Sequence, residues 1–210
     1  MKGRFIVIEG LDGAGKATQV RLLARKLRAQ GKKVTIFSFP NYESRFGAFI
    51  RDTLAGKHGD IKAVDAYYRA LPFAVDRLLT REKILVALKK GIVLSDRYTT
   101  SNLAFGAASC APNGRAAFQK FFEELEYGSF KLPKPDRVIY LSIPVEVSHK
   151  RLTKERKGKL DTNERDSAFQ RAVEAEYAKL AKRKEWRTIM CHGGDSPEDI
   201  SPKVEEAFRV

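Results

Sequence analysis

The sequence predicts an α/β protein: a five-stranded parallel sheet with helices on both faces. Three observations carry that prediction. Short β-branched, apolar runs recur five times along the 210 residues, separated by stretches with helical spacing. The first run leads at once into a glycine-rich turn that opens a helix, "IEGLDGAGKATQ" at 8–19. No internal repeat, linker or low-complexity stretch interrupts the alternation, so 1–210 reads as one domain.

The elements follow in order. "RFIVI" (4–8) is apolar throughout, as a strand covered on both faces must be. Val20, Leu23, Ala24 and Leu27 then repeat at helical spacing, and Gly31 stops that helix. "VTIFSF" (34–39) is the second strand, ended by Pro40, and "RFGAFIRDTLAG" (45–56) a short helix. Residues 61–90 are mostly helical in pattern, with Pro72 forcing a kink or a junction between two helices. "IVLSD" (92–96) is the third strand, with helical stretches around 101–108 and 115–127. "DRVIYLSI" (136–143) is the fourth, and Pro144 suits the first turn of the next helix. The basic stretch "HKRLTKERKGK" (149–159) interrupts the helical period with Gly158 inside it, and a helix resumes near Glu164 and runs to about Lys184. "RTIMCH" (187–192) is the last strand and "SPEDISPKVEEAFRV" (196–210) a closing helix. In such sheets ligands bind beyond the carboxyl ends of the strands, which points to loops 10–17, 40–45 and 96–102.

Composition narrows the class. With 43% hydrophobic and 31% charged residues the chain reads as a soluble globular protein. No apolar run approaches the ~18 residues of a membrane span, and the opening residues do not resemble a signal peptide. Cys110 and Cys191 stand far apart in no metal-like spacing, so reduced thiols in the cytoplasm are expected. The net charge of +14 fits either a nucleic-acid surface or a pocket for small polyanions. The stretch 149–159 holds six Lys/Arg against one Glu, yet no aromatic residue interrupts it, and no nucleic-acid module is present. Neither a nucleic acid nor a membrane is therefore expected as a partner.

Gly10, Gly15 and Lys16 form G-x-x-x-x-G-K between a strand and a helix. Glycines let backbone N–H groups curl around phosphate oxygens, the helix N-terminus adds its dipole, and the lysine supplies a point charge. Ala17 removes the hydroxyl that usually touches Mg2+. Thr18 cannot take its place, because a helix turns ~100° per residue. Water or another oxygen must hold the metal, with Asp12, Asp96 and Glu164 as candidates. At the end of the third strand, Arg97 beside Asp96 could clamp a phosphate bidentately, or form a structural ion pair.

Taken together, "EGLDGAGK", the "FP" pair at 39–40, "LPFAVDR" (71–77), "DRYTTSN" (96–102) and "LPKPD" (132–136) resemble the thymidylate kinase family. The resemblance implies a P-loop kinase fold, transfer of phosphate from ATP to dTMP with Mg2+ for dTTP synthesis, and a homodimer. It further implies that Gly10, Gly13, Gly15, Lys16, Ala17 and Thr18 cradle ATP, and that Asp12 binds the sugar 3′-hydroxyl and helps place the metal. Phe73 would stack on thymine, Arg77 would donate to O4, and Asn102 would donate to or accept from N3. Arg97 would hold the acceptor phosphate with Phe39 and Tyr42 beside it, and Tyr98 would press near the 2′ carbon. Arg45, one helical turn on, would supply the cation that relatives often carry at Asn41. Residues 150–162 would form a mobile lid. Because the loop holds Gly13 where some members hold an arginine, the catalytic charge would come from that lid. Arg156 stands first there, with Lys154 and Lys157 next, while Arg151 would lie over ATP. Glu164 would approach the sugar and metal. The rivals are a deoxynucleoside kinase or a kinase of another nucleoside monophosphate, a nucleotide-dependent nucleic-acid-binding protein, and a non-catalytic nucleotide sensor.

Overall fold

The computed structural model describes residues 3–158 and 160–209; Met1, Lys2 and Val210 lie outside the described residues, as does Lys159 of the expected lid. Strands β1 (Phe5–Gly10), β2 (Val34–Ser38), β3 (Ile92–Asp96), β4 (Arg137–Ser142) and β5 (Trp186–Met190) form one parallel sheet in the order β2-β3-β1-β4-β5. The helices are α1 (Lys16–Ala29), α2 (Arg45–Leu54), α3 (Ala66–Lys90), α4 (Thr99–Ala108), α5 (Arg115–Glu123), α6 (Val145–Glu155), α7 (Ser167–Leu180) and α8 (Pro197–Arg209). Among the described residues no helix is long and apolar enough to cross a membrane.

β1 is the middle strand, and all of it is buried. Alternation sends its residues to opposite faces. The Phe5 ring meets Tyr98 edge-on at 4.8 Å, and Glu9 reaches the start of α4, so this face looks toward α3, α4, α5 and α7. Helices α1 and α8 pack together over the other face. The chain steps past β3 on leaving β1 and returns past β1 on leaving β3, which opens a crevice above the carboxyl ends of these two strands.

The expected elements are present, with local differences. Pro72 lies inside α3 and marks no junction between helices. The carbonyl its missing N–H leaves unpaired is that of Tyr68, a residue on the exposed outer face. Asp65 caps α3 by accepting from the Tyr67 amide at 2.9 Å. Pro144 precedes α6 as its cap, and the basic stretch stays helical to Glu155, so the irregular part of the expected lid starts only at Arg156. Helix α7 starts at Ser167 rather than near Glu164, because the Asp161 side chain folds the amides of Asn163 and Glu164 into a turn and Asp166 caps the helix through Phe169. It ends at Leu180, short of Lys184. Helix α5 runs into a π-helical turn at Glu124–Ser129.

Candidate active site

The phosphate loop leaves β1 at Gly10 and enters α1 through Gly15, whose φ of 85° suits glycine. Gly10 (φ 149°) could not carry a side chain, since a Cβ would lie 2.6 Å from the Leu141 carbonyl oxygen. Gly13 is equally constrained: a Cβ there would lie 2.9 Å from the Ser148 carbonyl oxygen and 3.2 Å from Leu152 Cγ. Helix α6 thus seals this side of the loop, and an arginine at this position has no room. Ser148 Oγ ties the two together by donating to the Asp12 carbonyl at 2.5 Å. Lys16 is buried and donates to the Leu11 carbonyl at 2.8 Å, with Asp12 at 3.8 Å. Ala17 is exposed at the helix start, and Thr18 Oγ1 accepts from Arg21 along the outside of α1, so it does not fill Ala17's place.

Arg97 occupies the left-handed region (φ 63°), costly for a non-glycine residue and held here by contacts on every side. Its amide donates to Ile8 and its carbonyl accepts from Ser95 Oγ. Its guanidinium donates to Asp12 Oδ1 (2.7 Å), Ser101 Oγ (3.1 Å) and Tyr177 Oη (3.2 Å), and lies over the Phe105 ring. Burial would raise the Asp12 carboxyl, but the Arg97 and Lys16 charges outweigh it and hold its pKa at about 2. Beneath them sits Glu9, with 0% exposure. It accepts from the Tyr98 amide (3.0 Å), Thr100 Oγ1 (2.6 Å), Ser101 Oγ (2.7 Å) and Tyr177 Oη (2.8 Å). Glu9 opens the stretch "EGLDGAGK", where the resemblance assigns it no role. The signal that reveals it is a carboxylate inside an otherwise apolar strand, which must find partners to be buried.

A cavity of about 580 Å³ opens beside this network. Its lining includes Asp12 with the Arg97 that pairs with it, Arg156, Phe73, the Arg77 and Asn102 that share Glu126, and Phe39, Tyr42 and Glu164. Arg77 Nε and Nη2 donate to the two oxygens of Glu126 at 2.6 and 2.8 Å, so this buried cation is neutralised. Asn102 Nδ2 donates to the Ala70 carbonyl and to Glu126, which leaves Oδ1 as the atom to face a ligand. The turn carrying Phe39 and Tyr42 is pinned by Asp76, which accepts from the Asn41 amide at 2.8 Å.

Several expected residues sit differently. Tyr98 lines the cavity, but most of its ring is packed inside, backing Phe39 at 5.7 Å; Phe105 joins it on the wall, lying under the Arg97 guanidinium. Arg45 does not line the cavity, whereas Arg51 does. Arg151 is engaged by the carbonyls of His192, Gly193 and Asp195, because α6 packs its outer side against that loop. Asp12, Asp96 and Glu164 are not gathered into one metal-binding cluster: among the described residues no group of three such ligands converges. Glu164 is instead paired with Arg156 at 2.9 Å and accepts from the Asp161 amide. Asp96 Oδ1 is buried without a hydrogen-bond partner among the described residues. Burial raises its pKa, against the pull of Lys16 and Arg97.

A family model described as thymidylate kinase matches residues 8–204. The thymidylate kinase of Mycobacterium tuberculosis (strain H37Rv) is 36% identical over 184 residues, covering 84% of this chain and 85% of the relative. The probable thymidylate kinase of Pyrococcus abyssi is 36% identical over 211 residues, covering 98% and 97%. Among solved structures, Candida albicans thymidylate kinase superposes with a TM-score of 0.77 at 22% identity, over 99% of this chain and 92% of that one.

Proposed function

The chain belongs to the thymidylate kinase family, and on that premise we propose how its residues carry the family's reaction. That reaction is transfer of the terminal phosphoryl group of ATP to dTMP, giving dTDP and ADP for dTTP synthesis. ATP lies with its phosphates on Gly10–Lys16, and dTMP fills the cavity. The observation that carries the acceptor reading is the pairing of two unlike groups in one cavity. In one group a neutralised donor, Arg77, shares Glu126 with the Asn102 amide; in the other the Arg97 fork reaches Asp12 of the phosphate loop. Thymine offers an acceptor at O4 and a donor at N3, which matches Arg77 and Asn102 Oδ1, with Phe73 under the ring. Cytosine offers the reverse, and buried groups left unpaired reject it.

An acceptor phosphate oxygen attacks the γ-phosphorus in line. Its bond to phosphorus forms as the bridging oxygen leaves with ADP, and no protein nucleophile intervenes. The protein supplies position and charge. Lys16 and Arg97 hold donor and acceptor, and Arg156, at the start of the irregular segment that lines the cavity, serves as the lid's cation. Mg2+ fits here, since the unpartnered Asp96 oxygen and Asp12 offer the hard oxygens it prefers. Asp96, Asp12 and water would hold it, where it neutralises charge on the donor phosphates. Free thiols at Cys110 and Cys191 support a cytoplasmic setting.

The test is ADP formation from ATP with dTMP, dUMP, ribose TMP, dCMP and thymidine, titrating Mg2+. A preference for dTMP over dCMP of about 10⁴, with a metal requirement, is expected. Turnover of thymidine in place of dTMP would overturn the acceptor reading.

A homodimer has its own support. Tyr68 (72% exposed), Leu79 (65%) and Val86 align on the outer face of α3, an apolar row with no partner among the described residues. Leu79→Asp is expected to leave a monomer in sedimentation while the wild-type chain sediments as a dimer. A wild-type monomer would refute the assignment.

A further inference from the structure

Arg69 lines the same cavity as Phe73 and Arg77, one turn and two turns away on one face of α3. Of the other five arginines on the cavity wall, three are paired, Arg77 with Glu126, Arg97 with Asp12 and Arg156 with Glu164, while Arg51 lies near Asp52 on the outside and Arg165 is exposed to solvent. Arg69 differs. Its side chain makes no hydrogen bond or ion pair with any described residue, and its Nε is shut off from solvent with no acceptor. A guanidinium in that condition lacks an acceptor the folded chain does not supply.

Its position says which acceptor that is. Asn102 shares Glu126 with Arg77 and also binds the Ala70 carbonyl. One turn further along α4, Gly106 abuts Phe118, whose ring packs on Tyr67. Going from Asn102 toward Ser109 therefore means going from Arg77 back toward Arg69. The Watson–Crick edge of a pyrimidine carries O4, N3 and O2 in a row. With O4 at Arg77 and N3 at Asn102, the remaining group, O2, points to the Arg69 side. We infer that Arg69 is a specificity-determining residue that donates to O2 of the acceptor base, so that the cavity reads all three positions of the thymine edge. This rests on the orientation proposed above. Arg77 is charge-neutralised within the core, whereas Arg69 is only half-buried and keeps solvent on one side. It can thus hold an unpaired charge until the base arrives.

The test compares dTMP with its 2-thio and 4-thio analogues, since sulfur accepts hydrogen bonds weakly. In the wild-type chain each sulfur is expected to lower kcat/KM about tenfold or more. In Arg69→Met the dTMP KM rises by about the same factor with kcat within about twofold. The 2-thio penalty shrinks to less than about twofold, while the 4-thio penalty stays. Arg69→Lys, which keeps a donor, recovers part of the 2-thio discrimination. A merely structural Arg69 would depress all three substrates equally and leave both penalties intact, and that result overturns the inference. Loss of the 4-thio penalty in Arg69→Met overturns it too, because the base would then lie the other way round. No turnover of dTMP by the wild-type chain would instead sink the acceptor reading beneath it.

Discussion

Replacing Arg97 with methionine is expected to lower kcat/KM for dTMP by about 10³, with the KM for ATP within about twofold. The guanidinium is placed before any substrate arrives. Asp12, Ser101 and Tyr177 fix its fork, Phe105 lies under its plane, and a left-handed backbone aims it into the cavity. A donor fixed in advance needs no reorganisation when charge develops on the acceptor, which is why its removal is costly. Arg97→Lys should recover little, because an ammonium cannot reproduce two parallel donors on a phosphate. Steady-state kinetics with both substrates varied checks this. Unchanged kcat/KM in the methionine variant would move the acceptor grip to Arg51 or Arg156, two further cations on the cavity wall.

Glu9→Ala is expected to cost about 3–5 kcal/mol of folding stability, a fall in Tm of roughly 10 °C for a chain of this size. The variant strands the Tyr98 amide, the Thr100 and Tyr177 hydroxyls inside the core, and the half-buried Ser101 hydroxyl. Glu9→Gln should cost only about 1–2 kcal/mol. Its amide oxygen can take the side facing Tyr98 and Thr100, while the Ser101 and Tyr177 hydroxyls rotate to accept from the new NH₂. Denaturant unfolding of the three proteins orders them. Equal stabilities for wild type and the alanine variant would mean that water satisfies these donors and that Glu9 holds nothing in place.

These two residues mark the line between what was readable in the chain and what was not. Arg97 announces itself, since it follows a strand end and sits in a run of polar residues. So do Gly10, Gly15 and Lys16, whose spacing is dictated by a phosphate's need for bare backbone. The sheet was readable for a similar reason: strands buried on both faces are written as apolar, largely β-branched runs, as in Phe5–Ile8. The partners of the site residues were not readable. Glu126 neutralises Arg77 from a π-helical turn after α5, and Tyr177 reaches Glu9 from α7. Such pairings depend on how distant elements cross, and nothing local in "ELEY" or "EAEY" states them. The pairing of Glu164, one of the three candidate metal carboxylates, was unreadable on the same ground. Glu164 was close enough in type, but the Asp161 turn commits it to Arg156.

The carboxylates already seated on Arg97 and Arg156 give ligand entry the character of an exchange. An arriving phosphate does not meet a bare cation; it displaces an anion that was there first. A lone inorganic phosphate thus gains little, since one attraction replaces another of similar size. A nucleotide that also anchors its base can complete the displacement. The displaced anion is then free to act elsewhere. If the acceptor takes Arg97 as proposed, Asp12 would be released beside the phosphate loop, where Asp96 Oδ1 also has no hydrogen-bond partner among the described residues. On the proposed roles, filling the acceptor site and loading the cation site would be coupled by that one handover, each tightening the other by the same factor.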